Sequence, residues 1–216
     1  MFETVLVPLD GSPLAEQALP LAVELARRAK GSLRLARVHG RTSARESLTP
    51  EDHAAAIAAY VDKSVPNLSS VVVLAELDGK RILLTGDARG DYVLEGLKAA
   101  GVLDGTLHLD VLKVPHHGSN RDVEVDFFEK VTADHYVISA NGKYGNPDPE
   151  TLEMIATARG KDEFTIHLTN HDGEGGLREL LDKFVARAEA AGAKFKVAYR
   201  GEPDPIRIEL GDPLGF

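Results

Sequence analysis

The sequence predicts a layered α/β fold, because short apolar strands alternate along the chain with helices that have one apolar face. Residues 4–9 and 33–38 are apolar runs, and between them apolar residues recur every three or four positions, which is a βαβ pattern. Asp78-Gly79 separates two further apolar runs and predicts a β-hairpin. Beyond residue 90, helical and strand patterns alternate through the rest of the sequence.

The N-terminal βαβ pattern has recognisable helix ends. Ser12 is suited to the N-cap, Pro13 to the first helical position, and Gly31 to the end of the helix. We expect the two flanking strands to be parallel and their crossover to be right-handed.

The later elements follow from the same periodicities. Helices are predicted at about residues 51–62, 91–100, 124–131, 150–159 and 175–191. Strands are predicted at about residues 70–77, 81–85, 108–114, 134–139, 164–168, 194–199 and 206–210. By composition, residues 1–40 hold the βαβ unit, residues 41–66 are a polar junction with one helix, and residues 67–216 form a second domain.

Length, charge and cysteine content restrict the class of protein. The chain has 216 residues, enough for one medium domain, and a net charge of −9, which disfavours nucleic acid as a partner. The absence of cysteine excludes disulfides and thiolate metal ligands. No apolar run reaches the length of a membrane span, and Glu3, Pro8 and Asp10 do not fit a signal peptide. We therefore expect a cytoplasmic protein that does not bind membranes.

Two predicted strands end in residues that can bind a metal. Asp87 follows one strand in Thr85-Gly86-Asp87, and His116 and His117 follow another. Carboxylate and imidazole ligands suit zinc or another divalent metal. The structural alternatives are that Asp87 caps the helix that begins near Asp91 or is a loop residue, and that the two histidines bond backbone carbonyls in a turn. His108 and His135 are expected to fill strands, and His171 to lie in a turn.

The first segment, MFETVLVPLDGSPLAEQALPLAVELARRAKGSLRLARVH, contains a strand, an Asp-Gly-Ser turn and an Ala-Glu-x-Ala-Leu helix. Over residues 2–39 it resembles the opening of a universal stress protein. The resemblance implies that Asp10 contacts the adenine of ATP, and the alternative is a purely structural turn. That family holds the phosphates with a later Gly-x2-Gly-x9-Gly-Ser/Thr loop. No such loop follows residue 40, so ATP binding is not expected.

Four markers follow one another in the second domain. They are Asn67-Leu68-Ser69-Ser70, Leu84-Thr85-Gly86-Asp87, Lys113-Val114-Pro115-His116-His117-Gly118-Ser119, and Ile138-Ser139 with Tyr144-Gly145-Asn146-Pro147. In this order they resemble the C-terminal half of a metallo-β-lactamase-fold hydrolase, within the group that includes the soluble domain of the DNA-uptake competence channel. The resemblance implies an αββα-type layered fold, here incomplete because only one half is encoded.

The same resemblance implies roles for the residues at the two strand ends. Asp87 would be a metal ligand that bridges two ions, His117 a further ligand, and His116 a catalytic residue that faces the substrate. The opposite order of the two histidines stays open. We expect Asp87 and His117 to lie within about 10 Å of each other at one edge of a sheet.

The family's central ligand cluster, His-x-His-x-Asp-His, is missing from this chain. We therefore expect zinc binding to be weak or absent, with little hydrolysis of a phosphoester or other small-molecule substrate. The alternatives are a non-catalytic, nucleotide-responsive module of the universal-stress-protein type, or a recombined fragment without activity. Because half of the layered fold is missing, we also expect an uncovered sheet face, which either the βαβ unit covers in part by adding its two strands or a second copy of the chain covers in a homodimer.

Overall fold

The computed structural model describes residues 70–200 and 205–210, and, earlier in the chain, the backbone of residues 4–9 and 32–37 together with the helical residue Arg27. β1 (Thr4–Leu9) and β2 (Ser32–Arg37) pair in parallel and form a two-stranded sheet. The predicted parallel pair is thus confirmed, with the second strand beginning one residue earlier than expected. The predicted helix at residues 51–62 lies outside the described residues.

β3 (Val73–Leu77) and β4 (Lys80–Leu84) form the predicted antiparallel hairpin. Its two turn residues, Asp78 and Gly79, have φ values of 49° and 78°. Positive φ at both central positions is the geometry that favours Asp-Gly in a two-residue hairpin, because its twist matches that of the strands.

The hairpin opens a six-stranded sheet whose spatial order follows the chain, β3-β4-β5-β6-β7-β8. All pairs after the hairpin are parallel. The remaining elements are α1 (Gly90–Ala99), β5 (Leu107–Lys113), a 3₁₀ turn (Pro115–Gly118), α2 (Val125–Lys130), β6 (Val131–Ile138), α3 (Pro149–Arg159), β7 (Phe164–Leu168), α4 (Leu177–Ala190) and β8 (Phe195–Tyr199).

All four helices belong on one face of this sheet. Each helix connects two parallel neighbours, and every crossover moves across the sheet in the same direction, so a common right-handed sense places them together. The sheet row that faces them consists of Leu83, Leu112, Tyr136 and Ile166, all of which are buried in the main core.

The opposite face of the sheet has a different composition. Ala75 and Val111 lie on it and are buried without belonging to the main core, and His135 and Thr165 continue the same row. Within residues 70–200, one helical layer and one six-stranded sheet are present. This is an α/β architecture, and the finer αββα layering remains an inference from resemblance.

One predicted strand is wrong. Residues 205–210 were expected to include a strand at 206–210, but their described backbone makes no strand pairing. Alternating apolar residues there are insufficient without a neighbouring edge to pair with. Among the described residues, no helix has both the length and the apolar character needed to cross a membrane.

β5 and β6 bury paired side chains at two positions along the sheet that are three residues apart. Leu109 and Ala133 are paired and fully buried, and so are Leu112 and Tyr136, three residues further on. Because side chains alternate between faces with a period of two, these two pairs depart from the pattern of strands that are buried on one face alone. There the Tyr136 hydroxyl accepts a hydrogen bond from the Ala133 amide at 3.0 Å, and burial raises the pKa of Tyr136 to about 12.

We predict that Tyr136→Phe lowers the free energy of unfolding by about 1–3 kcal/mol, because it leaves the buried Ala133 amide without this acceptor. Urea denaturation measures the change. The matched control is Tyr144→Phe, whose side chain is 84% exposed and should change stability by less than about 0.5 kcal/mol. Equal effects of the two substitutions would show that this hydrogen bond does not stabilise the sheet.

Candidate functional site

The two metal-capable strand ends meet at one edge of the sheet. β4 and β5 are parallel neighbours, and Leu84 pairs with Lys113 at their carboxyl ends. The loops that follow therefore start side by side, and His117 Nε2 lies 3.4 Å from Asp87 Oδ1. The expected approach of Asp87 and His117 is confirmed at well under the 10 Å limit.

Backbone and side-chain hydrogen bonds tie the two loops together. Thr85 Oγ1 donates to the Lys113 carbonyl at 2.7 Å, and the His116 amide donates to the Gly86 carbonyl at 3.2 Å. The Asp87 amide donates to Ser70 Oγ at 3.1 Å. Asp87 is thereby held in the loop, and the residue that precedes α1 at its N-cap is Arg89. The alternative that Asp87 caps this helix is wrong.

The side chain of His117 is oriented by the end of the next strand. Its Nδ1 is hydrogen-bonded to the Ser139 carbonyl, which can only accept, so Nδ1 carries the proton. Nε2 then faces the Asp87 carboxylate. In the neutral ring Nε2 is an acceptor that faces a second acceptor, an arrangement that a cation bound between the two atoms would satisfy. Metal-binding histidines are commonly oriented in the same way, since the ring nitrogen that does not bind the metal donates its N–H to a backbone carbonyl.

Lys113 places a positive charge beside the same carboxylate. Its Nζ donates to the Gly86 carbonyl at 2.6 Å and lies 3.9 Å from Asp87 Oδ1. Burial lowers the pKa of Lys113, and the Asp87 charge opposes that effect. Lys113 belongs to the third sequence marker but was assigned no role there, and it competes with any metal ion for Asp87.

His116 points to a partner of its own. Its Nδ1 lies 2.7 Å from Asp122 Oδ2, and the Asp122 side chain is only 1% exposed. Asp122 Oδ1 is buried and has no hydrogen-bond partner among the described residues. The structure therefore pairs His116 with a buried carboxylate that sequence reasoning missed, since nothing in the spacing of six residues indicates a contact. Its predicted role as a substrate-facing catalytic residue stays a prediction.

The loop that carries both histidines has an unusual backbone. His116 and His117 have φ values of 41° and 57°, in the left-handed region that non-glycine residues rarely adopt. Such residues cost on the order of 1–3 kcal/mol each and persist where surrounding structure holds them. Gly118 follows at φ 83°, where an added Cβ would lie 2.8 Å from Pro147 Cβ.

The loop around Pro147 packs against the His116-His117-Gly118 turn and stabilises its left-handed backbone conformation. The Asp148 amide donates to the Gly118 carbonyl at 2.9 Å, and the Asn120 amide donates to Asp148 Oδ2 at 2.9 Å. The fourth sequence marker, Tyr144-Gly145-Asn146-Pro147, thus lies directly against the His-His-Gly turn. Its contribution is to hold the strained turn in place.

The described residues fit a metal only in part. Asp87 Oδ1 and His117 Nε2 supply two converging ligands, and the described portion of the chain contains no group of three or more His, Cys, Asp or Glu that could hold a metal ion. A catalytic zinc ion normally takes three protein ligands. Asp10, predicted to contact a nucleotide, lies outside the described residues.

A second histidine pair lies on the sheet face opposite the helices. His135 Nδ1 and His167 Nε2 are 3.0 Å apart on neighbouring strands. Desolvation lowers the pKa of both rings, that of His167 to about 4, and for His167 the neighbouring His135 adds to the effect. Asp134 and Asp110 oppose the shift at His135. His108 and His135 do lie in strands and His171 in a loop, as expected.

Comparison with known proteins gives two partial matches, one of which covers the N-terminal part of the chain. Residues 1–90 match the model of the universal stress protein family. This match extends beyond the resemblance over residues 2–39 and includes β3 and β4, which hydrogen-bond into the six-stranded sheet.

The chain is also similar to ComE operon protein 3 of Bacillus subtilis (strain 168). The two are 31% identical over 96 residues, which cover 44% of this chain and 12% of that protein. The chain therefore spans only a small part of the curated relative it matches.

The histidine pair predicts a pH dependence of stability. In the unfolded chain His167 binds a proton below about pH 6.5, whereas in the folded chain it does so only below about pH 4. Between these values the unfolded state binds more protons, so the free energy of unfolding falls as the pH falls through this window. We expect a loss on the order of 2 kcal/mol attributable to His167.

Denaturation at several pH values between 4 and 7 measures this loss, and His167→Gln should flatten the profile. His108→Gln is the control, because His108 lies in a strand but has an exposed side chain. A profile with the same slope in wild-type and His167→Gln protein would contradict the prediction.

Proposed function

We propose that this chain is a non-catalytic, nucleotide-responsive module of the universal-stress-protein type. The observation that carries the proposal is the family match over residues 1–90. The parallel pairing of β1 with β2, with the helical residue Arg27 between them in sequence, supports it, because the resemblance begins with a βαβ unit.

The sequence limits how such a module could hold a nucleotide. Asp10 is the residue that the resemblance assigns to adenine, while the glycine-rich phosphate loop is absent after residue 40. Backbone amides of such loops are what favour phosphate groups. Recognition in this chain would therefore rest on the adenine and would gain little from the phosphates.

We expect adenosine to bind, ATP to bind no more tightly than adenosine, and Asp10→Ala to weaken adenosine binding by about tenfold, the effect of one lost hydrogen bond to a charged group. Isothermal titration calorimetry with each ligand measures this. Asp104→Ala, an exposed loop carboxylate, is the control. Failure of adenosine and ATP to bind, or binding unchanged by Asp10→Ala, would refute the proposal.

A second candidate function rests on the contact between Asp87 and His117. We propose that this pair binds one divalent cation weakly and does not support hydrolysis. The 3.4 Å approach of Nε2 to Oδ1 and the carbonyl on Nδ1 favour a shared cation, while the lack of a third described ligand and the nearby Lys113 disfavour tight binding. When bound, a cation here would act as a Lewis acid.

We expect zinc to bind with a dissociation constant of about 10 μM or weaker at pH 7.5, and His117→Ala to abolish that binding. Hydrolysis of bis-p-nitrophenyl phosphate should stay at the background rate. His171→Ala is the control, because His171 lies in a different loop. Stoichiometric tight zinc with phosphodiesterase activity that His117→Ala and Asp87→Ala remove would establish the hydrolase instead.

A further inference from the structure

A cavity of about 340 Å³ opens beside His117. It lies at the carboxyl ends of β6 and β7, which is the edge of a parallel sheet where ligands usually bind. Its volume is at the lower end of the roughly 300–1,000 Å³ typical of ligand pockets. The cavity is lined by His117, Ser139, Ala140, Asn141, Gly142, Tyr144, Asn146 and Asn170.

The three asparagines offer both donors and acceptors to this cavity. Asn170 Nδ2 already donates to the Ala140 carbonyl at 2.8 Å, so its Oδ1 remains as an acceptor. Asn141 Oδ1 accepts from the Lys143 amide at 3.1 Å, so its Nδ2 remains as a donor. The Asn146 side chain makes no hydrogen bond within the described chain and offers both groups.

No lysine, arginine or carboxylate lines the cavity. A phosphate or carboxylate ligand would therefore find no charged partner among the lining residues, and the Lys143 ammonium at the rim lies against the Tyr144 ring. An uncharged polar ligand loses less hydration free energy when it enters the cavity, and it can form hydrogen bonds with the asparagine amides.

An aromatic ring adds an apolar contact surface at the rim. Tyr144 lines the cavity and is 84% exposed, the most exposed of the large apolar side chains in the described chain. The Lys143 ammonium lies 5.5 Å from its ring centroid. An exposed tyrosine beside paired amides is an amphipathic surface, apolar on the ring and polar around it.

We propose that this cavity binds an uncharged carbohydrate of one or two pyranose rings. Each sugar hydroxyl both donates and accepts, so a sugar can pair with amides that supply both functions from different walls. Its C–H face can lie against Tyr144, as apolar surface packs on an aromatic ring. A planar base offers polar groups only along its edges, and so uses fewer of these partners.

The proposal is independent of the nucleotide proposal, because it involves none of residues 1–90. It is tested by titrating the full chain with methyl α-D-glucopyranoside, methyl β-D-galactopyranoside, maltose and cellobiose, each to about 10 mM, with saturation-transfer NMR and calorimetry. At least one of these sugars should bind to the wild-type protein.

Tyr144→Ala should weaken that binding at least about fivefold, as truncation of a tyrosine in a binding site typically does. Its exposure means that folding should be unaffected. Asn146→Leu should weaken binding similarly, with a thermal melt to show that the variant is folded. Tyr92→Ala, outside the cavity, is the control for a lost tyrosine.

Three results would overturn the proposal. The first is that none of the four sugars binds to the wild-type protein. The second is that a sugar binds but Tyr144→Ala and folded Asn146→Leu bind it as wild type does. The third is that adenosine binds in a manner sensitive to Tyr144→Ala while no sugar does, which would assign the cavity to a nucleobase.

Discussion

The parallel pairing of β4 with β5 is the constraint on which the candidate site depends. Because Leu84 and Lys113 are aligned at the ends of these strands, the loops that follow them begin at the same level. Asp87 and His117, thirty residues apart in the chain, then need no further rearrangement to approach within 3.4 Å. A slip of one residue in this register would reverse the face of every side chain in β4 and separate the pair.

That alignment is reinforced by a strained turn that the neighbouring loop holds in place. His116 and His117 keep left-handed backbone conformations because the segment around Pro147 packs on Gly118 and Asp148 bonds across to the turn. The result is a rigid arrangement with two separate hydrogen-bonded histidines, His116 with Asp122 and His117 with the Ser139 carbonyl. Strain of this kind is typical of functional sites, although the converging ligands here number two.

The six-stranded sheet also joins the C-terminal end of the segment that matches the universal stress protein family to the residues that follow it. The universal stress protein match runs to residue 90, where α1 begins, and so includes β3 and β4. β3 pairs with β4, and β4 is hydrogen-bonded to the parallel strand β5, so the match ends within one continuous sheet. With the four helices on one face, the histidine pair at His135 and His167 lies on the other, where desolvation lowers the pKa of both rings.

The sequence by itself determined the secondary structure of residues 70–200, the Asp-Gly hairpin, the parallel N-terminal pair and the approach of Asp87 to His117. The first three follow from local periodicity and turn chemistry, and the last rested on the two residues' positions after apolar strands and before glycine-containing turns, together with the resemblance that the markers of the second domain carry. Only the tertiary structure decided the partners that complete the site: Asp122 for His116, Lys113 for Asp87, and the Ser139 carbonyl for His117. It also decided that residues 205–210 form no strand, and that three asparagines from separate positions line one cavity. The physical reason is that these contacts form where loops fold over the edge of the sheet. Packing between segments that are distant in the sequence sets the path of those loops, and such packing produces no periodic pattern in the sequence.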